Sequence, residues 1–312
     1  MNPVTAVLPA MLRPLAGARL PDWLDVHWYE DRHQAAELAP RAEIGWFDFF
    51  DRQAVREAIA AATGLKWLNS LFAGVEQFPL EDLARRGVML TNGAGINAVP
   101  IAEYVIMLML SHTKGYRDVV RAQDRHEWLR DSPGKRELFG SKALILGYGA
   151  IGQEIGQRLE VFGVEVSKVS RSGGAGRLAP GAWRAALGRF DWIIIAVPAT
   201  PETTGMIGAA ELAAMHPDAV VVNIARGSVI DQPALLAALQ SGTIGGALLD
   251  VTTPEPLPAE DPLWDHAAIT MHLSGRAQSL AMQRSADRFL ANLDCYRRGA
   301  ALTPLVDYAR GY

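Results

Sequence analysis

Two series of short apolar runs alternate with stretches of helical spacing along the chain. In the first hundred residues the runs at 4–8, 25–29, 42–47, 65–69 and 88–91 have the length of buried strands. Residues 52–62 and 80–86, which separate the later runs, repeat apolar positions at helical spacing and consist of good helix formers. Pro100 opens a long apolar helix to about 114, a proline being well tolerated in a first helical turn. Residues 115–138 are polar and charged, with Trp128 isolated among them.

The second series predicts strands at 142–146, 164–170, 192–197, 220–224, 244–250 and 269–272. Helices are predicted at 150–162, 182–187, 209–215 and 232–240. A last amphipathic helix, 280–298, has an apolar face that the second sheet does not need, so it is expected to pack back on the first domain. Such alternation builds parallel sheets covered by helices. The expectation is an α/β protein of two doubly wound domains, 1–98 with 277–312, and 99–276. Two such domains facing each other would place the active site in the cleft, because ligands of these sheets bind at the carboxyl ends of strands.

Size and charge narrow the classes. A chain of 312 residues exceeds one ordinary core and suits two domains. The formal charge of −4, with no basic run, points away from nucleic acid or an anionic membrane surface. Cys295 is the sole cysteine, which excludes an internal disulfide and a thiolate zinc cage, and no metal is expected. The apolar run 99–110 is broken by Glu103 and is too short to span a bilayer. Pro9, Arg13 and Pro14 interrupt what a signal peptide would keep apolar, so the cytoplasm is the expected compartment.

Gly147-Tyr148-Gly149-Ala150-Ile151-Gly152 follows a predicted strand and opens a predicted helix. Dinucleotide binding needs glycines there for a tight turn, for close backbone approach to the pyrophosphate, and for close packing of helix on sheet. Gly93-Ala94-Gly95-Ile96-Asn97-Ala98 has a similar look, but no second strand with a ribose-reading end follows it, so it reads as a loop.

Ser170, Arg171 and Ser172 end the strand after the true site. An NAD site favours a carboxylate there, which would repel a 2′-phosphate. Arg171 and two hydroxyls would bind that phosphate, giving NADP(H) in preference to NAD(H). The plainer alternative is a solvated arginine in the turn Gly173-Gly174-Ala175-Gly176.

Arg226, Glu255 and His272 each sit at or just past a predicted strand end of the same domain. Together with the glycine loop, the segments Asn223–Gly227, Asp250–Pro256 and Met271–Gly275 resemble the D-isomer-specific 2-hydroxyacid dehydrogenase family over nearly the whole chain. The resemblance implies Arg226 as substrate binder, Glu255 as orienter and His272 as acid–base.

Elementary chemistry agrees with those roles. A 2-keto acid carries a carboxylate beside a carbonyl, and one guanidinium fork can reach both. Hydride arrival leaves an alkoxide that needs a proton, which an imidazolium supplies. A carboxylate on the other ring nitrogen fixes the tautomer and favours the protonated ring. Taken singly, His272 could be a satisfied structural histidine, Arg226 a surface ion-pair member and Glu255 a loop charge. Their order after a nucleotide-binding pattern favours the catalytic reading. His27, His33, His112, His126, His216 and His266 lack such partners and read as surface.

The resemblance also reaches the first domain. Phe72, Ala73 and Gly74 follow the strand 65–69, where family members hold the substrate carboxylate on backbone N–H groups. It implies further that Asp250 holds the nicotinamide carboxamide, that Val197 and Pro198 flank the adenine, and that Ala225, Ser274 and Gly275 also touch the cofactor. Two residues depart from the family pattern. Met271 stands where a proline usually precedes the histidine, and Glu76 where aspartate is commoner. Trp46, at a strand end, is either an aromatic pocket wall or core packing. The helix 100–114 with the polar arm after it resembles the family's dimer-forming region, which implies a homodimer. The reading is an NADPH-dependent reductase of glyoxylate, hydroxypyruvate or a similar small 2-keto acid. Its alternatives are oxidation of another small donor and a nucleotide-sensing binding protein on the same fold.

Overall fold

In the computed structural model, which describes residues 3–170, 173, 177–179, 181–276 and 280–311, the chain divides into two units. One comprises Met1–Asn97 with Ala277–Tyr312, the other Ala98–Arg276.

The first unit is built on five parallel strands: β1 (Val4–Pro9), β2 (Leu24–Tyr29), β3 (Ile44–Trp46), β4 (Trp67–Asn69) and β5 (Met89–Thr91), in the order β2-β1-β3-β4-β5. Strands covered on both faces read as continuous apolar runs, as these do. Val7, Leu68 and Leu90 pack on one face with Val55 and Ile59 of the helix Arg52–Ala61. Ala6, Leu8, Ile44, Trp46 and Trp67 pack on the other against the helix Ala281–Arg297. Phe289 of that helix lies 5.4 Å from Trp46 and 5.1 Å from Trp67, ring centre to ring centre. Burying these three rings commits the last helix to the first sheet.

The second unit carries seven parallel strands: β6 (Lys142–Leu146), β7 (Glu165–Val169), β8 (Arg177–Leu178), β9 (Trp192–Ile195), β10 (Val220–Asn223), β11 (Gly246–Leu249) and β12 (Ala268–Ile269). Their order is β12-β11-β10-β9-β6-β7-β8. The direction of winding reverses between β6 and β9, which is where sheets of this kind bind ligands. The helices Ala98–Thr113 and Ala150–Val161 cover one face through Val105, Met109, Ile155 and Leu159.

Several expected elements differ. The stretch read as a polar arm contains a helix, Tyr116–Asp124, and the helix expected at 182–187 is a 3₁₀ segment, Arg184–Arg189. The strand expected at 269–272 stops at Ile269, because Met271 and His272 both have φ of +56°, which no strand accommodates. No helix among the described residues is long and apolar enough to cross a membrane.

Candidate active site

The glycine loop after β6 meets the geometric demands of a dinucleotide cradle. Gly147 has φ +95°, and a Cβ on it would lie 2.5 Å from the Ala196 carbonyl oxygen. A Cβ on Gly152 would lie 2.2 Å from the Gly147 oxygen, so only glycine lets the helix Ala150–Val161 close on the sheet. Gly149, with extended backbone, caps that helix, and a Cβ there would enter open space. A pyrophosphate approaching the helix N-terminus needs such a space. Ala150 begins the helix and Ile151 packs partly on the core.

The Tyr148 ring turns away from that space: a Cβ on Gly156 would meet its hydroxyl at 2.9 Å, and Lys168 Nζ stands 5.1 Å from the ring centre. Val197 packs partly on the core beyond β9, and the Pro198 carbonyl accepts the Thr203 hydroxyl at 2.7 Å. The Ser170 hydroxyl donates to the Gly173 carbonyl at 3.2 Å. Arg171 and Ser172 lie outside the described residues.

Arg226 follows β10 in a turn wrapped around buried Asn223, which accepts the Ala225 N–H and donates to the Arg226 carbonyl, each at 3.0 Å. Arg226 Nη1 donates to the buried Ala225's carbonyl at 2.8 Å. A Cβ on Gly227 would lie 2.1 Å from the Thr252 oxygen, so glycine lets this turn press against the segment that leads to Glu255.

His272 Nδ1 is 2.9 Å from Glu255 Oε2. Glu255 Oε1 accepts the Thr252 N–H at 3.1 Å, which fixes the carboxylate from behind. With Nδ1 engaged, Nε2 is left for chemistry, and the ring keeps 43% of its surface open. Two successive left-handed residues other than glycine are costly, and Asp250 holds them in place. Its carboxylate accepts the Thr270 hydroxyl at 2.7 Å, the Leu273 N–H at 3.0 Å, and the Ser274 N–H and hydroxyl at 3.2 and 2.5 Å. The Asp250 carbonyl also accepts the His272 N–H. Ser274 is thus buried as a clasp, and Gly275 continues the same turn. A proline, with φ near −65°, could not adopt the backbone of Met271, which accounts for that departure.

In the first unit, Phe72, Ala73 and Gly74 follow β4. The Ala73 and Gly74 N–H groups donate to no protein group among the described residues, leaving two adjacent donors for an anion. The Phe72 N–H does not join them, because it donates to Ser70 Oγ at 3.0 Å. Trp46, left open between pocket wall and core, is core. It is 1% exposed, packed on Phe289, and cannot wall an open pocket.

A family model for the D-isomer specific 2-hydroxyacid dehydrogenase NAD binding domain matches residues 106–274. The chain belongs to the D-isomer specific 2-hydroxyacid dehydrogenase family. Members are NAD(P)-dependent oxidoreductases. A D-3-phosphoglycerate dehydrogenase of Mycobacterium tuberculosis is 30% identical over 286 residues, 88% of this chain and 53% of that one. The chain therefore spans about half the length of the first curated relatives it matches. A family member from Aeromonas salmonicida, solved by crystallography, is 30% identical with a TM-score of 0.86, covering 99% of this chain and 100% of its own. An NADPH-dependent glyoxylate/hydroxypyruvate reductase from Sinorhizobium meliloti, in complex with NADP and malonate, is 25% identical with a TM-score of 0.75, covering 99% and 98%.

For this 2-hydroxyacid dehydrogenase family member, the sequence reading missed Asp48. Its carboxylate accepts Trp46 Nε1 at 2.7 Å, the Ser70 hydroxyl at 2.7 Å and the Leu71 N–H at 2.5 Å. Trp46 is local to Asp48, whereas the pairing of β3 with β4 brings Ser70 and Leu71 to it. It also misplaced His112 at the surface. The half-buried ring lies edge-on to Trp192 at 6.0 Å, and burial, with Arg136 near, holds it below the usual histidine range.

Proposed function

We propose that this chain is an NADPH-dependent reductase of small 2-keto acids, glyoxylate, hydroxypyruvate or a close relative, producing D-2-hydroxy acids. The observation that carries the reading is the His272–Glu255 pair, held by a braced turn on the sheet that bears the glycine loop. When bound, the reduced nicotinamide supplies the hydride that C2 of the keto acid accepts. The Arg226 fork binds the substrate carboxylate and polarises the carbonyl. In the first unit, taken by itself, the adjacent Ala73 and Gly74 N–H groups are suited to bind a carboxylate. His272 Nε2 gives its proton to the developing alkoxide and regains one from solvent, and Glu255 keeps the ring oriented throughout.

NADPH is favoured by Ser170, Arg171 and Ser172 at the point where an NAD site would carry an acid. The S. meliloti relative with bound NADP supports the same choice. The single cysteine suits a reducing cytoplasm. Self-association through the region of helices Ala98–Thr113 and Tyr116–Asp124 belongs to the reading too, since Tyr116 and Trp128 stand exposed there.

The test is loss of NADPH absorbance on adding a panel of 2-keto acids. Turnover of glyoxylate or hydroxypyruvate is expected. Silence across the panel with both NADPH and NADH would overturn the reading in favour of a nucleotide-sensing protein.

A further inference from the structure

The loop after β4 is held on every side except the one that matters for an anion. Leu71 and Phe72 have their N–H groups committed, to Asp48 Oδ2 and Ser70 Oγ. The Phe72 carbonyl accepts the Gly93 N–H at 2.8 Å, and the Ala73 carbonyl accepts Asn92 Nδ2 at 2.7 Å. Residue 93 must be glycine for this contact, since a Cβ there would fall 1.8 Å from the Leu71 oxygen. Among the described residues, the adjacent N–H groups of Ala73 and Gly74 donate to no protein group.

Asp48 stands at the root of this arrangement. One of its oxygens takes two N–H donors, from Trp46 and Leu71, and the other takes the Ser70 hydroxyl. Ser70 thereby spends its proton on Asp48 and offers a lone pair to the Phe72 N–H. A half-buried acid near an anion-binding loop is unfavourable for binding by charge alone, and desolvation does push its carboxyl up, to about 6. A carboxylate is nevertheless the group that can gather three donors in one place.

We propose that Asp48 is a positioning residue of the substrate site, clamping Leu71 directly and Phe72 through Ser70 so that the Ala73 and Gly74 amides stay open to the substrate carboxylate. This rests on the reading of that loop as the carboxylate binder.

The test compares Asp48→Ala, Asp48→Asn and Ser70→Ala in the full chain. Asp48→Ala should raise KM for glyoxylate about tenfold or more, the worth of a charge-assisted bond, while kcat changes less and NADPH affinity stays the same. Asp48→Asn should recover most of the loss, because its oxygen can accept both N–H groups and its amide can donate to Ser70 Oγ. Ser70→Ala, which cuts only the link to Phe72, should give an intermediate rise. A KM within about twofold of wild type in Asp48→Ala, or a loss confined to kcat, overturns the proposal. If Asp48→Ala does not fold, Ser70→Ala decides, and an unmoved KM there overturns it equally. Oxalate binding in the presence of NADPH, followed by calorimetry, separates this proposal from the assigned reaction. Weaker binding by Ser70→Ala supports the clamp even where no keto acid turns over. Equal binding, or none by the wild type, overturns it.

Discussion

His272 and Glu255 share one hydrogen bond, Nδ1 to Oε2 at 2.9 Å, and the far oxygen of Glu255 is tied to the Thr252 backbone at 3.1 Å. The carboxylate therefore cannot swing away without losing its own anchor. The ring it orients sits on two left-handed residues clasped by Asp250. The imidazole is thus fixed from its backbone and from its Nδ1 side at once.

Replacing His272 by alanine should lower turnover by roughly 10²–10⁴, the usual worth of a positioned acid. NADPH affinity should hardly move, because the proposed role sets the imidazole on the substrate and not on the cofactor. Steady-state kinetics with a fluorescence titration of NADPH check both halves, and turnover within a few-fold of wild type would refute the role.

Glu255→Gln keeps the shape and the bond from Thr252 but removes the charge that faces His272 Nδ1. Reduction should slow by roughly tenfold near neutrality, the worth of one charge-assisted bond. The loss should fall on kcat with KM nearly unchanged, and in a His272→Ala background the same change should cost little more. Full additivity of the two substitutions would mean that Glu255 does not act through His272.

Arg226→Lys retains a positive charge and loses the planar fork. KM should rise and kcat should fall together, by about tenfold or more each, because the proposed role has the group meet both the resting carboxylate and the changing carbonyl. Kinetics that match wild type in both constants would remove Arg226 from the site.

On the proposed reading, cofactor choice turns on Arg171. A hydrogen bond to a charged group contributes about 1.5–3 kcal/mol, or roughly 10- to 150-fold in affinity. NADPH should therefore be preferred over NADH by about tenfold or more in kcat/KM. Arg171→Ala should remove most of that preference by weakening NADPH alone, and added salt should narrow it in the wild type. A variant that still prefers NADPH would show that the phosphate is read elsewhere.

Asp48 should leave a signature in stability. Burial pushes its carboxyl up to about 6, against the lowering effect of the Leu71, Ser70 and Trp46 donors. The folded chain thus holds this proton more tightly than the unfolded chain does. Its contribution is present below the ordinary carboxyl range, near pH 4, and is lost as pH rises through about 6. Relative to Asp48→Asn, the wild type should lose about 1–3 kcal/mol between about pH 4 and pH 7, allowing for partial exposure. Urea midpoints at several pH values check this, and a constant difference between the two proteins would contradict it.

Much of this architecture was legible because parallel strands covered on both faces leave long apolar runs, as in Trp192–Ile195 and Val220–Asn223. The surplus apolar face of the last helix likewise pointed to the first sheet, where Phe289 is buried. The end of β12 was not legible. Ile269-Thr270-Met271 reads as extended, and the left-handed turn depends on Asp250, a partner on another strand end. Trp46 could not be assigned to pocket or core until Phe289 arrived from the far end of the chain. Asp48 was missed for the same reason, since its partners Ser70 and Leu71 become neighbours only through strand pairing.

The most direct measurement follows deuterium from NADPH labelled at C4 of the nicotinamide, each face separately, into the product formed from hydroxypyruvate by the wild type. One face should deliver a single deuterium to C2 of a D-configured 2-hydroxy acid, and His272→Ala should slow that transfer without changing its face. No deuterium in the product, or an L-configured product, would contradict the account.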